Sequence, residues 1–262
     1  MDNIKNKLIK TLGLKKENSK LSESHFFFIT AFPKSGSSFI SLVLSDLLKI
    51  PIADIVYSHF REQDIYLPKL ESLKGSKIIS KHHTLATTPN IELLKENSIS
   101  PIVLTRNLPD TIISLRDHIS KTLRWPHFQV PSDFDKWENK NQFDFLIELA
   151  IPWYVFFYVS WNKAYQNNDI DIKFIRYEDF NKSQSKTIKA ILEYLDFQID
   201  EEKILDSIDR VKNLSIDKNR LNKGVMDRGK NLLTSSQMDR IESFSRFYPN
   251  IDFTPILQSN SL

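Results

Sequence analysis

The chain has 262 residues, 40% of them apolar and 26% charged, with a formal charge of +3 and no cysteine. That length and apolar share suffice for one domain with a sizeable core. The lack of cysteine excludes disulfides and Cys-ligated zinc, and so mild a charge argues against nucleic acid as a partner while suiting a small anionic ligand.

Residues 1–22 carry lysines at 5, 7, 10, 15, 16 and 20 among scattered Ile and Leu. We read them as a basic, solvated N-terminal extension, with a membrane-surface helix as the alternative, and residues 23–262 as a single domain. The N-terminus lacks an apolar core of signal-peptide length, so a cytoplasmic location without stable membrane association is expected. Phe26-Phe27-Phe28-Ile29 has the bulk of a buried strand. It stops at Pro33-Lys34-Ser35-Gly36-Ser37-Ser38, after which Phe39, Ile40, Val43, Leu44, Leu47 and Leu48 recur at helical spacing. A strand, a short hydroxyl-bearing glycine loop and a helix build an anion cradle, because loop N–H groups and the helix N-terminus converge on one spot. Lys34 adds a full positive charge, and Ser37 and Ser38 add hydroxyl donors.

Pro51 and Pro68 break the next stretch, which is polar and irregular. Lys77 to Ser80 reads as a short strand, followed by Lys81-His82-His83 and, further on, Pro89. Pro101 to Thr105 is a second buried strand running into Arg106-Asn107-Leu108-Pro109-Asp110, where Pro109 starts a helix. Residues 123–142, with Pro126, Pro131 and two Trp, read as a surface flap. Phe143 to Tyr165 reads as a long aromatic core helix; its most apolar part, Leu149 to Trp161, contains Pro152 and is too short to span a bilayer. Ile170 to Ile175 alternates as a strand and ends in Arg176-Tyr177-Glu178-Asp179. Helices at about 184–196 and 200–210, a basic loop from Lys218 to Lys230, and a last helix capped by Thr234 complete the chain. Strands alternating with helices predict an α/β fold, a central parallel sheet with helices on both faces. Ligands then bind beyond the carboxyl ends of the strands.

The order Pro33-Lys34-Ser35-Gly36-Ser37-Ser38 resembles the PKSGTT loop of sulfotransferases that use 3′-phosphoadenosine-5′-phosphosulfate (PAPS), and the resemblance extends over about residues 25–240. It implies that Lys34, Ser35, Gly36, Ser37 and Ser38 grip the 5′-phosphate in a phosphate-loop-like fold. The family's RxPxDxxxS is matched by Arg106, Asp110 and Ser114, with Pro109 one position late; Arg106 and Ser114 are implied to hold the 3′-phosphate. Asn222 to Asn231 resembles RKGxxGDWKN: Lys223 and Gly224 match, Asn222 replaces the Arg, and Arg220 or Arg228 is a candidate substitute. Tyr177-Glu178-Asp179 resembles the family's YED, which implies Tyr177 beside the adenine. The family's K-[TS]-H general base implies His82, which lies 48 residues after Lys34 and seven before Pro89, with His83 the rival.

The resemblance thus implies in-line sulfuryl transfer from PAPS, leaving the bisphosphate product PAP, without a metal, to a hydroxyl or amine of a small molecule or glycan. Lys34 and His82 would be the catalytic residues. A nucleoside-triphosphate kinase is the rival, but GxxxxGK[ST] is missing; a binding module without catalysis is another. The acceptor would meet 51–70 and 119–142, where Trp125, Phe128, Phe134 and Trp137 could stack on a ring or form a mini-core. The family's KxxxTVxxxE dimer contact resembles Lys230, Thr234, Ser235 and Asp239. Ser in place of Val removes an apolar contact worth ~1 kcal/mol, so a monomer is expected, with a homodimer the alternative.

Overall fold

A computed structural model describes residues 26–214 and 226–257. The elements in chain order begin with β1 (Phe26–Ala31), α1 (Ser37–Leu48), α2 (Leu67–Ser72), β2 (Ile78–His82) and α3 (Thr88–Glu96). The middle of the chain forms β3 (Pro101–Thr105), α4 (Leu108–Thr122), α5 (Asn139–Gln166), β4 (Lys173–Arg176) and α6 (Tyr177–Lys182). α7 (Gln184–Tyr194), α8 (Glu201–Lys212), α9 (Arg228–Leu232), α10 (Ser235–Ser243) and α11 (Thr254–Leu257) follow. The expected N-terminal extension, residues 1–22, lies outside the described residues, as do Lys223 and Gly224.

The four strands form one sheet in the order β2-β1-β3-β4, and every pair is parallel. Their apolar runs are nearly continuous because both faces are covered. Along β1, Phe28 packs with Val103 and α5 on one face, whereas Phe27, Ile29 and Ala31 pack on the other with α1, α7 and α8. The α/β architecture with helices on both faces is therefore borne out. α1 is fastened to α8 by Asp46, whose carboxylate accepts from Ser207 Oγ at 2.8 Å and Arg210 Nη2 at 2.8 Å. The chain leaves β1 towards β2 and leaves β3 towards β4, on opposite sides. A crevice consequently opens beyond the carboxyl ends of β1 and β3, the position that favours ligands in such sheets.

α5 is long and apolar enough to cross a membrane by length and composition, yet Leu146, Ile147, Tyr154, Phe157 and Trp161 on it are buried in the core. Pro152 lies within this helix on its exposed side, so it does not end the element. Two expectations change. α3 is a helix the sequence reading left unassigned, started by Thr87, whose side chain accepts from Asn90 N–H, with Pro89 in the first turn. The expected surface flap is partly core: Phe134 is fully buried, and Phe128, Phe134 and Trp137 each pack on Phe145 with ring centroids 5.5 to 5.6 Å apart. Of the two roles left open for these aromatics, the mini-core is the observed one.

Candidate active site

The loop after β1 is held in a shape few sequences tolerate. Lys34 has φ 72° and Gly36 φ 82°, both left-handed. For a lysine that conformation costs about 1 kcal/mol or more, so the surroundings must hold it. Ser35 does part of this: its buried hydroxyl donates to the Phe32 carbonyl at 2.7 Å, and its N–H meets the same oxygen at 3.2 Å. Tyr154 Oη donates to the Pro33 carbonyl at 3.3 Å from the neighbouring helix. Gly36 faces the ring of Tyr177, and a Cβ there would lie 3.1 Å from two ring carbons. The first turn of α1 starts at Ser37, and among the described residues no side chain caps it. Its N–H groups, which a helix leaves without internal partners, lie beside Ser37 and the partly exposed Ser38 at this turn.

Arg106 comes to this loop from the end of β3. Its Nη1 donates to the Lys34 carbonyl at 3.1 Å, its guanidinium carbon lies 4.2 Å from the centroid of the Tyr177 ring, and Nη2 is 3.8 Å from Asp110 Oδ2. Only 5% of Arg106 is exposed, and its Nε is buried without a hydrogen-bond partner among the described residues. Burial raises the pKa of the Tyr177 phenol, opposed by Arg106. Lys34, Gly36, Arg106 and Tyr177 are thus brought together. Ser114 is buried on α4, whose helical start is built by Asn107 accepting from Asp110 N–H at 2.9 Å.

Two residues the sequence reading gave little weight organise this ring. Glu178 Oε1 accepts from Asn107 N–H at 2.9 Å and from Asn107 Nδ2 at 2.7 Å, tying the β4–α6 turn to the start of α4. Asp110 accepts from the N–H groups of Asp227 at 3.0 Å and Gly229 at 2.8 Å, tying α9 to α4. Gly229 lies so close to Pro109 that a Cβ would sit 2.4 Å from the Pro109 Cβ. Pro109, one position late in its motif, and Gly229, which stands where the RKGxxGDWKN pattern has Trp, therefore touch each other. Arg228 meets Asp117 at 2.8 Å.

The histidines separate. His82 ends β2 with 2% exposure, and its Nε2 accepts from Ile55 N–H at 3.2 Å and lies 2.9 Å from Ser80 Oγ. Burial depresses its pKa to about 4. That ring is spent on holding the segment around Ile55, which does not fit the expected role of a general base. His83 is partly exposed, and its Nδ1 sits 2.6 Å from the Ala31 carbonyl at the end of β1. A carbonyl only accepts, so Nδ1 carries the proton and Nε2 holds the lone pair. Burial also holds its pKa well below the usual histidine range. The neighbouring wall was not foreseen: His127 stacks on Trp153 at 4.8 Å, and Gln63 Nε2 lies 3.0 Å from His127 Nδ1.

A four-stranded parallel sheet whose order reverses between β1 and β3, with a glycine loop and helix N-terminus at that point, defines the class of the fold as α/β. The chain matches the sulfotransferase domain family over residues 25–246 and belongs to that family. It is 26% identical over 184 residues to Sulfotransferase 6B1 of Mus musculus and 24% identical to Sulfotransferase 6B1 of Homo sapiens; each match covers 67% of this chain and 56% of the relative. The chain thus spans about half the length of the curated relatives it matches. Among solved structures, mouse sulfotransferase SULT7A1 complexed with PAP superposes with a TM-score of 0.62 at 18% identity, covering 88% of this chain and 87% of that one. Retinol dehydratase in complex with androsterone and inactive cofactor PAP gives 0.50 at 14% identity, covering 87% and 84%. These likenesses show the fold, and the expected family is borne out.

The buried neutral histidines generate a pH prediction. In the unfolded chain a histidine binds its proton near pH ~6.5, whereas folded His82 does so near 4. As pH falls from about 6.5 towards 4, the unfolded state alone gains the proton, so folding stability drops, by on the order of 3 kcal/mol for His82. Urea unfolding should show this loss, and His82→Asn should flatten the slope; equal stability at pH 7 and pH 4.5 would contradict the buried neutral ring.

Proposed function

We propose that the chain transfers the sulfuryl group of PAPS to a hydroxyl or amine of a small-molecule or glycan acceptor. The observation that carries this reading is the meeting of the Lys34 loop, the N-terminus of α1 and the buried Arg106 in one crevice. The residues fit the nucleotide: a glycine stands where a Cβ would press on Tyr177, and the orphaned Arg106 Nε points to an absent acceptor. In this reading Lys34, Gly36, Ser37, Ser38 and the first N–H groups of α1 hold the 5′-phosphate side, while Ser35 shapes the loop. Arg106 and Ser114, with Lys223 and Gly224 from outside the described residues, hold the 3′-phosphate, and Tyr177 flanks the base. PAPS, when bound, supplies an activated sulfuryl group on a phosphate leaving group.

The chain's own residues then act on the acceptor and the leaving phosphate. The acceptor oxygen or nitrogen forms the new bond to sulfur as the sulfur–oxygen bond to the phosphate breaks in line. We assign the general base to His83, with Nδ1 held by the Ala31 carbonyl and Nε2 available to take the acceptor's proton. Lys34 and the preorganised N–H groups stabilise charge developing on the leaving phosphate, so the reading assigns no step to a metal. We read residues 23–262 as one catalytic domain acting as a monomer in the cytoplasm.

Two outcomes test this. PAP should raise the melting temperature far more than AMP, because only PAP engages Arg106, and Arg106→Ala should remove most of the difference; equal shifts with both nucleotides would refute the 3′-phosphate pocket. His83→Ala should lower kcat roughly 10²-fold or more while leaving PAP binding intact. His82→Ala should instead lower stability and leave kcat of the folded fraction near wild type; the reverse pattern would return the base to His82.

A further inference from the structure

A second histidine, His127, stands near enough to His83 for its charge to act on that ring, and the proposed transfer gives it no part. Three contacts fix it. Its ring stacks on Trp153 with centroids 4.8 Å apart, meets Trp125 edge-on at 5.7 Å, and receives a hydrogen bond at Nδ1 from Gln63 Nε2 at 3.0 Å. Two of these supports lead back to the end of β1. Trp153 packs edge-on against Tyr154 at 5.4 Å, and Tyr154 Oη donates to the Pro33 carbonyl in the Lys34 loop. Gln63 is bound to the segment that carries His83, because its carbonyl accepts from Leu85 N–H at 3.1 Å and from Asn90 Nδ2 at 3.0 Å.

The partners of the two rings set opposite tautomers. An amide nitrogen only donates, so Gln63 fixes the His127 lone pair on Nδ1 and the proton on Nε2. Burial lowers the pKa of this ring to about 4, which keeps it neutral at pH 7. In His83 the Ala31 carbonyl holds the proton on Nδ1 and leaves the lone pair on Nε2. Both rings are partly exposed, and neither Nε2 has a hydrogen-bond partner among the described residues. One nitrogen that accepts and one that donates are therefore on offer. A hydroxyl satisfies both: its proton goes to His83 Nε2, one oxygen lone pair bonds sulfur as the bond from sulfur to the leaving phosphate breaks, and the other lone pair accepts from His127 Nε2–H. A neutral amine has a single lone pair, which the bond to sulfur takes, and an ammonium ion only donates.

We propose that His127 selects hydroxyl over amine acceptors by donating from Nε2–H to the acceptor oxygen that His83 deprotonates. The proposal rests on the sulfuryl-transfer reading for its chemistry, and its test is a binding measurement that needs no turnover. Benzyl alcohol, benzylamine and toluene share one shape and differ at the polar group. Each is titrated, with and without PAP, into the full chain carrying isotope-labelled histidine, with the ring nitrogens followed by NMR. His127 should carry its proton on Nε2 and His83 on Nδ1. Benzyl alcohol should shift both Nε2 signals and bind about tenfold or more tightly than benzylamine or toluene. His127→Phe keeps a flat ring against Trp153 and should remove most of that preference; His127→Gln keeps a donor and should restore part of it. A single cooperative urea transition checks that each variant is folded. A proton on His127 Nδ1, an unmoved His127 Nε2 signal, equal affinity for alcohol and amine, or an unchanged preference in His127→Phe would each overturn the proposal. Failure of PAP to bind would instead overturn the transfer reading, and the titration without PAP would still decide the preference of the histidine pair.

Discussion

The site depends on a buried guanidinium. Taking a charge out of water costs several kcal/mol unless it is well paired, and Arg106 is paired on three sides: by the Lys34 carbonyl, the Tyr177 ring and Asp110. A desolvated cation over an aromatic face contributes about 2 kcal/mol, which helps to offset the burial. The same contacts bring three connections into register. The turn after β1 is reached through Lys34, the turn after β4 through Tyr177, and the start of α9 through Asp110. Removing the guanidinium would therefore loosen the Lys34 loop together with the turn after β4.

The buried elements were legible in the chain for a simple physical reason. β1 and β3 are covered on both faces, so Phe26 to Ala31 and Pro101 to Thr105 read as nearly continuous apolar runs. The register of the histidines was less legible. Counting back from Pro89 selects His82, but that interval is set by where Thr87 caps α3. The two rings take opposite directions from the strand, His82 to Ile55 and His83 to Ala31. Glu178 and Asp110 stood in the matched motifs, but what they hold was hidden, because their partners are backbone N–H groups and an asparagine brought from distant segments. The aromatic run of 125–137 read as surface because its prolines and charges mask the burial of Phe134 beneath Phe145.

The departures from the motif pattern also acquire a physical account. A proline at position 109 presses on α9 so closely that only glycine fits at 229, and the Gly229 N–H then reaches the Asp110 carboxylate. A substitution that enlarges either residue would push α9 away from α4 and away from the residue that steadies Arg106. Arg228, a candidate to stand in for the arginine that Asn222 replaces, is engaged with Asp117 on α4. Its geometry therefore serves the packing of α9.

Mass spectrometry of the products formed from PAPS and a pool of phenols, alcohols, amines and sugars tests the central claim most directly. The account predicts at least one acceptor heavier by a single sulfuryl group, in an amount matching the PAP released, with both formed roughly 10²-fold or more slowly by His83→Ala. Tight PAP binding with no sulfated product from any acceptor would contradict it and leave a nucleotide-binding module in its place.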